Sequence, residues 1–156
     1  MNQNETREMK LKYNLCLTLI GPDGKVKEER KYHNLVTTAG KNDAIKQVVG
    51  DVGGGVQPSK FNYVGIGTGT TVETANDTVL ETEVGTRVQD TDPDFPSTGR
   101  GDLIALFPAG NGTGTISEAG VLNASTSGTM LARKTFTGIN KGALDALQVT
   151  WQITAA

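Results

Sequence analysis

LQVTWQIT, residues 147–154, decides the architecture. Leu147, Val149, Trp151 and Ile153 fall on one side of an extended chain, and Gln148, Thr150, Gln152 and Thr154 on the other. A period of two marks a strand with one face buried, so Trp151 is expected in the core. LKYNLCLTL, residues 11–19, repeats the pattern with Leu11, Tyr13, Leu15, Leu17 and Leu19. Gly21-Pro22-Asp23-Gly24 supplies turn chemistry, and Val26 to Tyr32 returns as a second strand rich in Lys, Glu and Arg. Such charges suit a sheet edge guarded against stray pairing. The spacing therefore predicts an N-terminal β-hairpin and a C-terminal half-buried strand.

Between these runs, Thr37 or Thr38 is placed to cap a helix through Asp43 to Val49, with Ala44, Ile45, Val48 and Val49 on one face and Gly50 as its stop. Residues 51–60, with three consecutive glycines and Pro58, read as a flexible loop. Phe61 to Ile66, Leu103 to Phe107, Thr115 to Leu122 and Thr129 to Thr137 read as further strands. An acidic stretch from Glu73 to Asp94 holds seven carboxylates against one arginine, with a short helical turn expected around Thr78 to Glu83. About seven strands and one short α-helix predict a mainly β chain, a single-domain β-sandwich or jelly-roll-like barrel. Residues 11–156 are expected to form that domain, preceded by a flexible charged N-terminal arm over residues 1–10.

At 156 residues the chain is long enough for one domain that buries about two thirds of its unfolded surface. The formal net charge of −2 argues against nucleic-acid binding, which needs clustered Lys and Arg. The polar N-terminus does not read as a signal peptide, and no apolar run approaches a membrane span of ~20 residues. A soluble protein made in the cytoplasm is expected, so the sequons at Asn4, Asn76, Asn111 and Asn123 read as chance. Cys16, the only cysteine, is expected to be a small core or near-core residue. From Arg100 onward charges are sparse, so that half is expected to be core or a covered contact surface.

No set of residues assembles a reaction centre. Gly65, Gly67 and Gly69 lack the spacing and the lysine of phosphate loops, and suit a close approach of backbones instead. Asp90, Asp92 and Asp94 match the first ligand spacings of a calcium loop, but Phe95 and Gly101 stand where its glycine and bidentate glutamate belong. A solvated acidic loop is the plainer reading. His33, the only histidine, suits a turn or strand end, and a zinc site of four His and Cys ligands is excluded by count. Glu81 and Glu83 lie in a charged segment where nothing predicts the burial that acid catalysis needs. Arg100-Gly101-Asp102 spells an adhesion tripeptide and reads as an ordinary exposed loop. No catalytic, metal or cofactor residues are expected, and the protein is not expected to be an enzyme.

In chain order the motifs are Asp23-Gly24-Lys25, His33 to Gly40, Ile66 to Thr70, Thr78 to Glu83 with Arg87, Glu118 to Leu122, and Gly128 to Arg133. That order resembles a family of small tailed-bacteriophage virion structural proteins. The family's pattern is a D-G-K hairpin, an H-N-L-V-x-x-x-G segment with a short helix, an I-G-x-G-T strand, a T-x-L-x-x-E segment, an E-x-G-L/V strand and a G-x-x-L-A-R strand. The resemblance spans Leu15 to Ile153 and implies a virion protein, either a capsid decoration (cement) protein or a tail-fibre or baseplate adaptor. The chain stops after its last strand without a stalk or tip, which favours decoration. The implied partners are the major capsid protein, further copies of the chain as a homotrimer, or other tail proteins. From the residues alone, a carbohydrate-binding β-sandwich is the alternative of a different class.

Overall fold

A computed structural model describes residues 10–50 and 59–155. The elements, in chain order, are β1 (Leu11–Ile20), β2 (Val26–His33), β3 (Leu35–Val36), α1 (Thr38–Val49), β4 (Tyr63–Gly67), β5 (Glu83–Gln89), β6 (Asp94–Ser97), β7 (Arg100–Phe107), β8 (Gly114–Leu122), β9 (Met130–Lys141) and β10 (Ala146–Ala155). Two five-stranded antiparallel sheets form a β-sandwich. Sheet A has the order β2-β1-β10-β7-β6, and sheet B the order β3-β9-β8-β4-β5.

The two alternating runs pair with each other at the centre of sheet A. Leu15 lies opposite Trp151, Leu17 opposite Val149 and Leu19 opposite Leu147. On the far side of β10, Trp151, Val149 and Leu147 meet Leu103, Ala105 and Phe107. These rows close over Val64, Ile66, Ile116, Val121 and Ile139 of sheet B in one core, and Trp151 is fully buried within it. β2 is an edge strand of sheet A, as its charges suggest.

The two sheets differ in how they are covered. β1 and β10 alternate between buried and half-buried residues, so sheet A presents one face to the core and leaves the other open. β8 is buried continuously from Ile116 to Leu122, which requires cover on both faces. The second cover comes from residues 68–82, which cross the outside of sheet B. Leu80 sits there with Leu122 and Met130, over the gaps left by Gly65 and Gly120. The sparsely charged C-terminal half thus supplies much of the core.

Several expectations need correction. The described residues hold ten strands where about seven were expected, because β3, β5 and β6 are short or carry mixed charges that hide any periodicity. No helical turn forms over 78–83. The N–H groups of Glu81 and Thr82 donate to the Glu118 carboxylate instead of to helical carbonyls. The expected caps of α1 hold, with Thr37 as N-cap accepting from the Gly40 N–H and Gly50 closing it at φ +77°. Its apolar face does not pack: Ile45, Val48 and Val49 are exposed, and only Gly40 is buried. Arg100-Gly101-Asp102 begins strand β7 and is not a loop. Cys16 points to the open face of sheet A and is half-buried. The arm, apart from Lys10, and residues 51–58 of the expected loop lie outside the described residues.

Gly40 shows how α1 is held. A Cβ there would stand 2.5 Å from the Leu131 Cα and 2.8 Å from the Leu131 and Met130 carbonyl oxygens. Backbone on a central strand cannot step aside, so Gly40→Ala is expected to destabilise the protein by about 1–3 kcal/mol, read as a lower urea midpoint.

Candidate functional site

The most concentrated group of charges lies where residues 68–82 cross sheet B. At its centre is Glu118 of β8, fully buried. Its Oε1 accepts from the N–H groups of Gly69 (3.1 Å) and Thr82 (2.7 Å). Its Oε2 accepts from the Glu81 N–H (3.0 Å) and from Nε of Arg133 (2.9 Å) on the neighbouring strand β9. Ser117 adds a hydroxyl bond to the Gly69 carbonyl at 2.9 Å.

Arg133, also buried, spreads over three carboxylates. Its Nη1 donates to Asp77 at 2.8 Å and its Nε to Glu118, while Nη2 stands 2.9 Å from Glu118 Oε2 and 3.6 Å from Glu81 without a hydrogen bond. Asp77 and Glu81 are held in turn by the chain they order. Thr74 gives Asp77 its N–H and its hydroxyl, and Thr71 gives Glu81 the same pair. Beside them Glu73 accepts from Lys134 and from the N–H and hydroxyl of Thr135. A shallow cleft of about 310 Å³ opens over Arg133, Asp77 and Glu81. Both carboxylate groups at its mouth are already bonded on both oxygens. The cluster is built to hold a segment in place.

Gly67 and Gly69 belong to the same construction. A Cβ on Gly67 would fall 2.4 Å from Glu118 Oε1, and one on Gly69 would fall 2.5 Å from the Glu81 Cβ. The glycine-rich strand makes room for the protein's own carboxylate and loop, in line with the close-approach reading. Arg87, which the resemblance singles out, forks onto Glu83 at 2.6 and 3.0 Å. It also reaches the carbonyls of Ala124 and Ser127, tying β5 to the β8–β9 connection. Nothing in the local sequence marks Glu118 as buried; its neighbours Gly120 and Arg133 become informative only once the strands are paired.

The other candidates are dispersed. Asp90 is buried and structural, its oxygens accepting from the N–H groups of Asp92 and Ile104, while Asp92 and Asp94 are exposed. Among the described residues, no three His, Cys, Asp or Glu side chains come together as metal ligands. His33 is exposed at the end of β2, and it lines a shallow dent on the open face of sheet A together with Cys16. Arg100 is spent on Asp102 at 2.8 and 2.6 Å. Lys141 is fully buried and donates to the Pro108 carbonyl at 3.0 Å; burial pushes its pKa down, against the pull of Asp145. An apolar recess of about 700 Å³ lies where β1 begins and β10 ends, between Leu11, Phe95 and Ile153. No helix among the described residues is long and apolar enough to cross a membrane. Compared with known proteins, the chain matches no family model, no curated protein and no solved structure.

Two outcomes are expected from this geometry. Glu118→Ala leaves Arg133 and three N–H groups short of their shared acceptor, and should cost about 3–5 kcal/mol in urea unfolding. Glu118→Gln, which keeps one acceptor oxygen, should cost less.

The second outcome concerns acid. Burial would raise the Glu73 carboxyl, but the bonds from Lys134 and Thr135 outweigh it and hold the pKa down at about 2. Asp77 is lowered too, burial being outweighed by Thr74 and Arg133, and Glu81 is lowered chiefly by the Thr71 N–H. A carboxyl depressed in the folded state stabilises fully above its unfolded pKa and loses that contribution as pH falls through the folded value. The urea midpoint should therefore drop between pH about 4.5 and about 2, and Glu73→Gln should flatten that drop.

Proposed function

We propose that the protein is a bacteriophage virion structural protein, a capsid decoration protein that binds and stabilises the assembled shell. One observation carries the reading. Several of the residues on which the virion resemblance rests (Gly67, Gly69, Glu118 and Arg133, with Gly40 at the helix) bond to one another or seat backbone on backbone. Apart from Arg133 Nη2, their side-chain donors and acceptors are used inside the fold. Motifs spent on architecture leave function to the surface, as suits a protein that acts by adding contacts to a larger assembly.

The mechanism is mechanical. A rigid domain that binds the closed shell and not its separated subunits stabilises the shell by mass action, in proportion to RT ln(1 + [L]/Kd). The charged N-terminal stretch, Met1 to Lys10, is the segment suited to reach neighbouring subunits. Trp151, the one indole, is buried in the core and is not available as a sugar platform.

Cryo-EM of native particles tests the reading. Density for this domain repeated across the capsid exterior is the expected result. Density confined to the tail, in few copies, would transfer the protein to the tail-adaptor class, and absence from the particle would overturn the virion assignment. Deleting residues 1–10 should lower occupancy on shells while the far-UV circular dichroism stays that of a β protein; unchanged occupancy would remove the arm from the mechanism.

A further inference from the structure

The open face of sheet A carries its charges (Lys12, Glu29, Lys31, Arg100 and Asp102) away from its middle. Its middle consists of two rows that run across three strands. One is Cys16, Thr150 and Ile104, and the other is Thr18, Gln148 and Leu106. None of these six is charged, in a chain where 21% of residues are. Charges flank these rows: Lys31 with Glu29 on β2, Arg100 with Asp102 on β7, and Lys12 near the start of β1. An uncharged centre with polar margins is how protein interfaces differ from the remaining surface.

We propose that this face binds the same face of a second copy, forming a twofold dimer by stacking sheet on sheet. Two arguments select a second copy. Hydroxyls and carboxamides carry donors and acceptors together, so a face of Thr and Gln is complementary to itself, whereas a face of one charge sign would repel its twin. The area also fits. Five strands about 4.8 Å apart and about eight residues long at 3.3 Å cover roughly 600 Å² in plan. Side-chain relief brings that near the ~800 Å² per partner of a stable interface. Sheet B offers no equivalent face, since residues 68–82 already cover it. The proposal stands apart from the virion reading and survives its failure.

Sedimentation velocity on the full chain at micromolar concentrations tests it. The wild type should sediment at twice the 16.4 kDa chain mass. Thr150→Arg sets like charges against each other at the centre, and should weaken the dimer about a hundredfold or more while the circular dichroism is unchanged. Gln148→Lys, one step along the same strand face, serves as a second variant should the first misfold. Cys16 provides an independent readout. Its alkylation by a maleimide should slow as wild-type concentration rises, and should not do so in Thr150→Arg. A monomeric wild type would overturn the proposal, as would a trimer or a dimer indifferent to both substitutions. A monomer whose shell binding is lost in Thr150→Arg would also overturn it, by giving the face to another protein.

Discussion

A carboxylate with no exposure to water, Glu118, holds the outer layer of this protein together. Left alone, a buried carboxylate would cost several kcal/mol in lost hydration. Here three backbone N–H groups and a guanidinium replace the water, and each of those donors needs the carboxylate as much as it needs them. The arrangement is conditional: the N–H groups converge only if residues 68–82 follow one path, and that path exists only if Gly67 and Gly69 present no side chain. Conditional burial of this kind fixes a loop more firmly than apolar contact, because a half-made network is worse than none. Leu80 is set over Gly65 and Gly120 by the same path, so polar and apolar anchoring of the segment cannot be separated.

The physics that decides an element also decides whether it can be read from sequence. β1 and β10 were legible because each buries one face only, and alternation is what one-sided burial writes into a chain. β5 was not. Glu83 to Gln89 has no apolar stripe, and it is a strand because β4 pairs with it, Arg87 ties it down, and the Asn111 side-chain amide bonds both the N–H and the C=O of Thr86. All of those partners are remote in sequence. Thr78 to Glu83 reads as helical from its composition, yet a distant carboxylate claims its N–H groups. The stripe on α1 misleads in the opposite way: Ile45, Val48 and Val49 have the spacing of a packed face, while the contact that seats the helix is a missing side chain at Gly40. For the candidate site, the need for glycine at residues 65, 67 and 69 was visible, but what approaches them was not.

Unequal cover on the two sheets links fold to use. Sheet B spends both faces on the protein itself, one on the shared core and one on residues 68–82. Sheet A spends one and keeps the other for the outside, where the middle rows of its three inner strands are uncharged. The edges are handled separately. Charges guard β2, Pro96 interrupts β6, and Asn111 occupies the position on β5 where a further strand would bond. Growth of either sheet by strand addition is discouraged, and contact through a face is left open.

The pairing of Leu11 with Ala155 bears on how the chain comes to be folded at all. β8 and β9 are neighbours in sequence and can pair early, whereas β1 has as its central partner β10, which follows every other strand of the described residues. Until β10 emerges, β1 is left with the charged β2 alone and its leucines have no roof. Long-range closure of this kind is slow, and apolar strands waiting for it are the ones prone to wrong pairings. The Lys, Glu and Arg residues of β2 guard the finished sheet, and they also keep the hairpin in solution during that wait.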